Sequence, residues 1–226
     1  MADKLILFDL DGTLVDSQDL IVEAQRRAFA AHDIRAPSRA ASLSIVGLSL
    51  REAFSALAGA EGPVESLSAA YREAWTQIRA APDFAEPLFP GAREIIAALA
   101  GMEGVTLGIA TGKARRGVDH LLAHTGWQGS FKTVQTADGH PSKPAPDMIL
   151  AAMAEAGAAP AATFMVGDTS FDMQMAANAG VRAIGVAWGY HSADELTRAG
   201  AERVVADFAE LRHLIEHEQG KDRPGR

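Results

Sequence analysis

Cysteine is absent from all 226 residues. Its absence excludes a disulfide framework, a thiolate zinc site, an iron–sulfur cluster and a cysteine nucleophile together. Long apolar runs are missing too. Charged residues interrupt every stretch well short of the ~20 residues that a bilayer span demands, so no membrane segment is expected. A basic run is also lacking: 21 Lys+Arg stand against 29 Asp+Glu, a net charge of −8, which argues against nucleic acid as a partner. The opening Met1-Ala2-Asp3-Lys4 carries neither the basic flank nor the cleavage site of a signal peptide, and a cytoplasmic location is expected. What remains is an ordinary globular composition, 48% hydrophobic and 22% charged, enough for one core with a sizeable insertion or for two domains.

Short apolar runs alternate with helical periodicities through most of the chain. Leu5-Ile6-Leu7-Phe8, 105–110, 163–166 and 183–186 read as strands covered on both faces, with a weaker strand at 131–134 and a short edge strand at Val204-Val205. Between them, Ile95, Ile96 and Leu99, then Val118, Leu121 and Leu122, then Met148, Ile149, Ala152 and Met153 repeat at helical spacing. Such alternation predicts an α/β fold, a Rossmann-like parallel sheet with helices on both faces, over 1–15 and 88–216.

Residues 16–87 break the pattern. Leu20, Ile21, Ala24, Ala28 and Phe29 share a helical face behind a cap at Asp16 or Ser17. Ser49 and Glu52 have capping-box spacing ahead of Leu50, Ala53, Phe54 and Leu57, and Gly59 would end that helix. Val64, Leu67, Tyr71, Trp75 and Ile78 give a third helix, and no strand pattern occurs. An inserted all-helical domain over 16–87 is predicted, with Pro82, Pro87 and Pro90 at its return, and a polar, disordered tail over 217–226.

Three predicted strands end in polar residues: Asp9-Leu10-Asp11-Gly12-Thr13-Leu14, Thr111-Gly112-Lys113, and Gly167-Asp168 with Asp172 beyond. Ligands of open parallel sheets bind outside the carboxyl ends of the strands, so these groups converge on one edge. Gathering Asp9, Asp11 and Asp168 is costly unless a cation sits among them or some are protonated, and an all-oxygen set suits Mg²⁺. Asp172 reads equally well as a helix cap. Asp9 could attack phosphorus, and Asp11 could move a proton to the leaving oxygen and from the incoming water. Thr111 offers a hydroxyl, the Gly112 and Lys113 amides a phosphate cradle, and Lys143 a mobile cation aimed by Pro144 at a helix start.

The run Phe8-Asp9-Leu10-Asp11-Gly12-Thr13-Leu14-Val15-Asp16-Ser17 resembles the first motif of the haloacid dehalogenase-like hydrolases. Thr111, Lys143 and Gly167-Asp168 with Asp172 match the second, third and fourth motifs in order, across almost the whole chain. The helical insertion after the first motif resembles the C1 cap of the subfamily that contains phosphoglycolate phosphatase. The resemblance implies a Mg²⁺-dependent phosphatase acting through an aspartyl-phosphate. It makes Asp9 nucleophile and metal ligand, and Asp11 acid/base and metal ligand through its main-chain carbonyl. It makes Thr111 and Lys143 phosphoryl ligands and Asp168 a metal ligand, with Asp172 orienting Lys143 or metal-bound water.

A small phosphorylated metabolite is the expected partner, phosphoglycolate first and a sugar phosphate next, for a monomer or homodimer. The loop 45–49, with Gly47 and Ser49, is the candidate leaving-group contact, and Arg51 with Arg115 or Arg116 the candidate anion partners. A β-phosphoglucomutase-like phosphomutase is the main alternative; the Lys-Gly-x-Ser-Arg stretch that such enzymes carry in the cap is interrupted here by Val46 and Leu50. Pyrophosphatase, dehalogenase and a non-catalytic binding module rank lower, Asp11 speaking against a dehalogenase. A phosphonatase would need a cap lysine, and 16–87 contains none. Gly108 to Ala114 is one residue short of a P-loop and lacks its Ser or Thr. His213-Leu-Ile-Glu-His217 has an inverted zincin spelling without a third ligand. Trp75, Trp127 and Trp188 read as packing residues.

Overall fold

Strands β1 (Lys4–Phe8), β2 (Val105–Thr111), β3 (Thr133–Thr136), β4 (Thr163–Gly167), β5 (Arg182–Val186) and β6 (Arg203–Val205) form one parallel sheet in the order β3-β2-β1-β4-β5-β6. The computed structural model describes residues 4–59, 61–82 and 84–217. Apart from His217, the expected tail lies outside them. β1 is central, with Ile6 opposite Leu107 on one side and Phe164 on the other. The chain builds outward from β1 to β3 and then returns to the other side of β1, which opens a crevice between the carboxyl ends of β1 and β4.

Strand alternation sends side chains to two cores. Ile6, Phe8, Leu107, Ile109, Phe164, Val166, Ile184 and Val186 meet α5 (Ala92–Ala100), α6 (Arg115–Thr125) and α10 (Phe208–His217). Leu5, Leu7, Met165 and Ala183 meet α7 (Asp147–Ala156), α8 (Ser170–Ala179) and α9 (Ala193–Arg198) on the opposite face. Each such burial contributes roughly 1.5–3 kcal/mol, and both faces are used, which is why these strands read as continuous apolar runs.

Between β1 and β2 lie α1 (Gln18–Ala30), α2 (Arg39–Leu43), α3 (Leu50–Ala58) and α4 (Val64–Arg79). Their apolar faces make two clusters of their own, one around Ile21, Val46 and Trp75 and one around Phe29, Phe54 and Leu67. The outgoing and returning chains run side by side where Val15 pairs antiparallel with Leu88. There the Asp16 amide donates to the Pro87 carbonyl at 2.8 Å and the Phe89 amide to Leu14 at 3.1 Å.

Four local expectations need correction. The third strand begins at Thr133, two residues late, because Phe131 turns inward onto Trp127 at 6.2 Å between ring centroids. α2 is one short turn without enough apolar repeat to show in the sequence. Ser49 precedes α3 without a side-chain cap, so the capping box with Glu52 is not formed; the Ser49 amide instead donates to the Ser142 hydroxyl across the crevice. Pro144 precedes α7 by three residues and does not start it. No described helix is long and apolar enough to cross a membrane.

Candidate active site

The crevice floor is acidic and fully buried. Asp9 follows β1, its amide extending the ladder to the Val166 carbonyl at 3.0 Å, and Asp168 follows β4 directly. Carboxylate oxygens of Asp9, Asp168 and Asp172 all lie within 4.8 Å of one another. Asp168 accepts from the Thr13 hydroxyl and the Tyr190 amide, both at 2.9 Å. Asp172 does what both of its readings required. One oxygen accepts from the Thr169 amide (3.0 Å) and hydroxyl (2.7 Å), closing the capping box of α8; the other takes the Lys143 ammonium at 2.5 Å. Room for these carboxylates comes from glycine: a Cβ at Gly12 (φ +88°) or Gly189 would overlap Asp168.

Lys143 is not the mobile cation that its loop position suggested. It is 1% exposed, held between Asp172 and Asp9, whose Oδ2 it approaches at 3.1 Å. Neither oxygen of Asp9 has a hydrogen bond of good geometry, although both are buried. Burial pushes the Asp9 carboxyl up from 3.8 to about 6, against the pull of Lys143 and with Asp172 adding to the rise. Burial, with Asp172 and Asp9 adding to the rise, pushes Asp168 well above the ordinary carboxylate range. Paired carboxylates raise the Lys143 ammonium despite its burial. Three crowded carboxylates, one lysine and an Asp9 carboxylate without a well-directed hydrogen bond fit a hard divalent cation, whose charge would offset the excess.

The Asp11 carboxylate stands apart from this trio. Its Oδ1 accepts from the Ser17 hydroxyl at 2.7 Å and the Lys113 ammonium at 2.9 Å. That ammonium also reaches Glu86 at 2.7 Å and lies 5.2 Å from the centre of the Trp75 ring. Trp75 comes from the helical segment, Glu86 from the returning chain and Asp11 from the sheet edge, so all three parts of the molecule meet on one ammonium. Thr111 ends β2 beside Asp9, its hydroxyl accepting from the Lys113 amide at 3.2 Å. α6 starts only at Arg115, so that amide is engaged locally instead of heading the helix, contrary to the cradle expected of it.

Above the floor opens a cavity of about 390 Å³ reached by Asp9, Asp11, Thr111, Gly112 and Lys113 from the sheet and roofed by α1, α3, α4 and the loop 45–48. Gly47 lines it, and a Cβ on Gly112 would overlap the Gly47 carbonyl, so the loop is seated directly on the strand end. Ser49 does not line it; its amide donates to the Ser142 hydroxyl at 2.8 Å. Arg51 is exposed and 3.8 Å from Glu65, and Arg115 pairs with Asp119 at 2.8 Å, so neither reaches the cavity, whereas Arg116 does. Sequence reasoning missed the Lys113 side chain, Glu86, Gln25 and Arg79. Only Gln25 left a signal, a polar residue on the apolar face of α1, four positions after Ile21.

The comparisons decide the family. The model of the haloacid dehalogenase-like hydrolases matches residues 6–186. The chain belongs to the haloacid dehalogenase-like hydrolases. "Probable phosphatase IndB" of Dickeya dadantii is 39% identical over 211 residues, covering 92% of this chain and 91% of that one. "Pyrophosphatase PpaX" of Bacillus velezensis is 32% identical over 227 residues, covering 95% and 98%. A hydrolase from Pseudomonas syringae superposes with a TM-score of 0.83 at 28% identity, covering 96% of this chain and 99% of its own. This haloacid dehalogenase-like hydrolase is therefore an enzyme of the phosphatase kind, and Asp9, Lys143, Asp168 and Asp172 stand together on its floor.

Proposed function

We propose that the enzyme hydrolyses a small phosphate monoester with Asp9 as nucleophile and Mg²⁺ as cofactor. The observation that carries this reading is the Asp9 carboxylate, buried with both oxygens free of good hydrogen bonds, next to a lysine and two further carboxylates. Asp9 attacks phosphorus and the bond to the leaving oxygen breaks, leaving an acyl phosphate on Asp9. Asp11 gives that oxygen a proton, then takes one from the water that attacks phosphorus, which frees inorganic phosphate and restores Asp9. Asp11 must leave Lys113 and Ser17 to do so, a side-chain rotation at the mouth of the cavity.

Lys143 and the Thr111 hydroxyl bind the phosphoryl oxygens, and Asp172 holds Lys143 in place. Asp9 and Asp168 through their carboxylates and Asp11 through its carbonyl would hold Mg²⁺. The bound ion supplies charge neutralisation and polarises the phosphoryl group. The helical segment, acting as a cap over 16–87, closes off water and meets the leaving group with Gly47 and the α4 face. Phosphoglycolate or a sugar phosphate is the substrate proposed, with the protein a monomer or homodimer in the cytoplasm. A phosphomutase would use the same floor; Val46 and Leu50 flanking the Gly47 loop weigh against it.

Release of phosphate from an aryl phosphate, with Mg²⁺ and with a chelator, tests the reading. Turnover should require the metal and fall at least about 1,000-fold in Asp9→Asn. Asp11→Asn should lower kcat strongly with little change in metal affinity. Full activity of Asp9→Asn, or in chelator, would remove nucleophile and metal together.

A further inference from the structure

The phosphatase reading leaves one group in the cavity without employment. Arg79, on the last turn of α4, lines the cavity and also the groove that continues outward between α4 and α6. Its guanidinium lies over the Trp75 ring, 4.8 Å from the centroid, and its Nε is buried with no hydrogen-bond partner. Space for it is built into the sheet side. A Cβ at Gly117 in the first turns of α6 would come within 3.2 Å of both Arg79 Nη2 and Lys113 Cγ, so the glycine leaves these two side chains their room.

Several arginines elsewhere on this acidic chain find carboxylates: Arg26, Arg27, Arg39, Arg115, Arg182 and Arg212 do so at 2.6 to 2.8 Å. Arg93 and Arg198 find backbone carbonyls. Among the described residues Arg79 has no such pair, nor do its neighbours in the lining, Arg72 and Arg116. The nearby carboxylates are turned elsewhere: Glu73 accepts from Gln77 at 3.1 Å, and Asp119 takes Arg115. A position in the last turn of a helix would account for a cation in general. It does not account for a guanidinium centred 4.8 Å above an indole, with its Nε, half of a bidentate fork, buried and without a partner.

We infer that Arg79 is a specificity-determining residue that binds a second anionic group on the leaving portion of the substrate, so that the enzyme selects phosphate monoesters carrying a carboxylate or a further phosphate. The carbon skeleton between the two anions lies along Ile21, Val46, Tyr71 and Trp75, and the buried amide oxygen of Gln25, which has no donor, can accept a hydrogen bond from it. This rests on the phosphatase reading of the same cavity, which it extends to the substrate class.

The test compares 4-carboxyphenyl phosphate with its neutral isostere 4-carbamoylphenyl phosphate, and adds 1,4-phenylene bisphosphate as a third arm. The native enzyme should prefer the carboxylate in kcat/KM by about tenfold or more. Arg79→Met should bring that ratio to within about twofold of unity, and Arg79→Lys should restore part of it through charge without the fork. Preference for the carboxylate over the bisphosphate names a carboxylic acid as the source of the anion, and the reverse order names a phosphate. A native ratio near one, or an equal loss on the charged and neutral esters in Arg79→Met, overturns the inference and leaves hydrolysis at Asp9 untouched. Turnover of all three esters by Asp9→Asn would instead overturn the phosphatase reading.

Discussion

The floor and the roof of the cavity are built on opposite rules. On the floor most charged groups are spoken for within the fold: Asp172 holds Lys143, Thr13 and Tyr190 hold Asp168, and glycine clears the space for Asp168 and Asp172. Only the oxygens of Asp9 are left over, and they are the ones assigned to chemistry. On the roof the wall is apolar, with Trp75, Tyr71 and Val46 around polar groups that have no partner, Gln25 and Arg79. A preorganised floor serves one invariant group, the phosphoryl. An unsaturated roof leaves its hydrogen bonds to be completed by the leaving group, so the two regions should answer differently to mutation and to pH.

The largest expected effect lies where the regions join. Lys113 is buried between Asp11 and Glu86, with side chains 7%, 14% and 2% exposed. Removing one partner of a buried ion network leaves uncompensated charge and costs about 3–5 kcal/mol. Lys113→Met should therefore unfold at markedly lower denaturant, whereas Lys113→Met with Glu86→Gln should recover part of the loss, because one stranded carboxylate is gone. Strictly additive losses in that pair would show that the ammonium does not bridge them.

A second contrast is in sign with pH. Asp9 titrates near 3.8 when unfolded and near 6 in the fold, because burial outweighs Lys143. The native state thus binds more protons in that window. Stability from this group is complete below about pH 4 and is lost as pH rises through about 6, by about 3 kcal/mol. In chelator the native protein should lose this amount relative to Asp9→Asn between pH 4 and 7, and added Mg²⁺ should return it through binding. Glu23, on the outer face of α1, goes the other way. Arg26 and Arg27 lower it from 4.5 to about 2, so its contribution is present above 4.5 and fades toward 2, weakened by solvent at 34% exposure. A pH slope unaltered by Asp9→Asn would place the burial cost elsewhere.

Much of the floor was legible in the sequence, because its residues sit at the ends of apolar runs and inherit their positions from the sheet. Asp9 and Asp168 each follow a strand, and Thr111 ends one, whose pattern is a continuous apolar run. Lys143 was legible as a residue and not as an environment: nothing within its loop announces that Asp172, 29 positions later, will bury it. The roof was legible only as helices. Trp75 and Ile21 lie on predicted apolar faces, but which polar residue those faces admit to the cavity depends on how α1 and α4 pack, a long-range fact. Ser49 belongs to the loop 45–49 expected at the leaving group and Arg51 is an expected anion partner, yet neither side chain lines the cavity, a matter of how α3 is seated that the loop's own residues do not announce.

The smallest predicted effect separates the regions most cleanly, because it runs against the usual direction of mutation. Gln25 is 4% exposed, lies on the apolar face of α1 and has a carbonyl oxygen with no donor. A buried amide in that state carries its desolvation cost without return, so Gln25→Leu, close to isosteric, should stabilise the protein by about 1 kcal/mol. For a chain of this size that is a rise of roughly 2–4 °C in Tm. The same change should lower kcat/KM for any substrate whose leaving group donates to that oxygen, a loss of function with a gain of stability. A comparable substitution on the floor, Asp172→Leu, would strand Lys143 and reverse the sign. If Gln25→Leu instead destabilised the fold, its amide would have to be satisfied by the protein itself, and the roof would be as saturated as the floor.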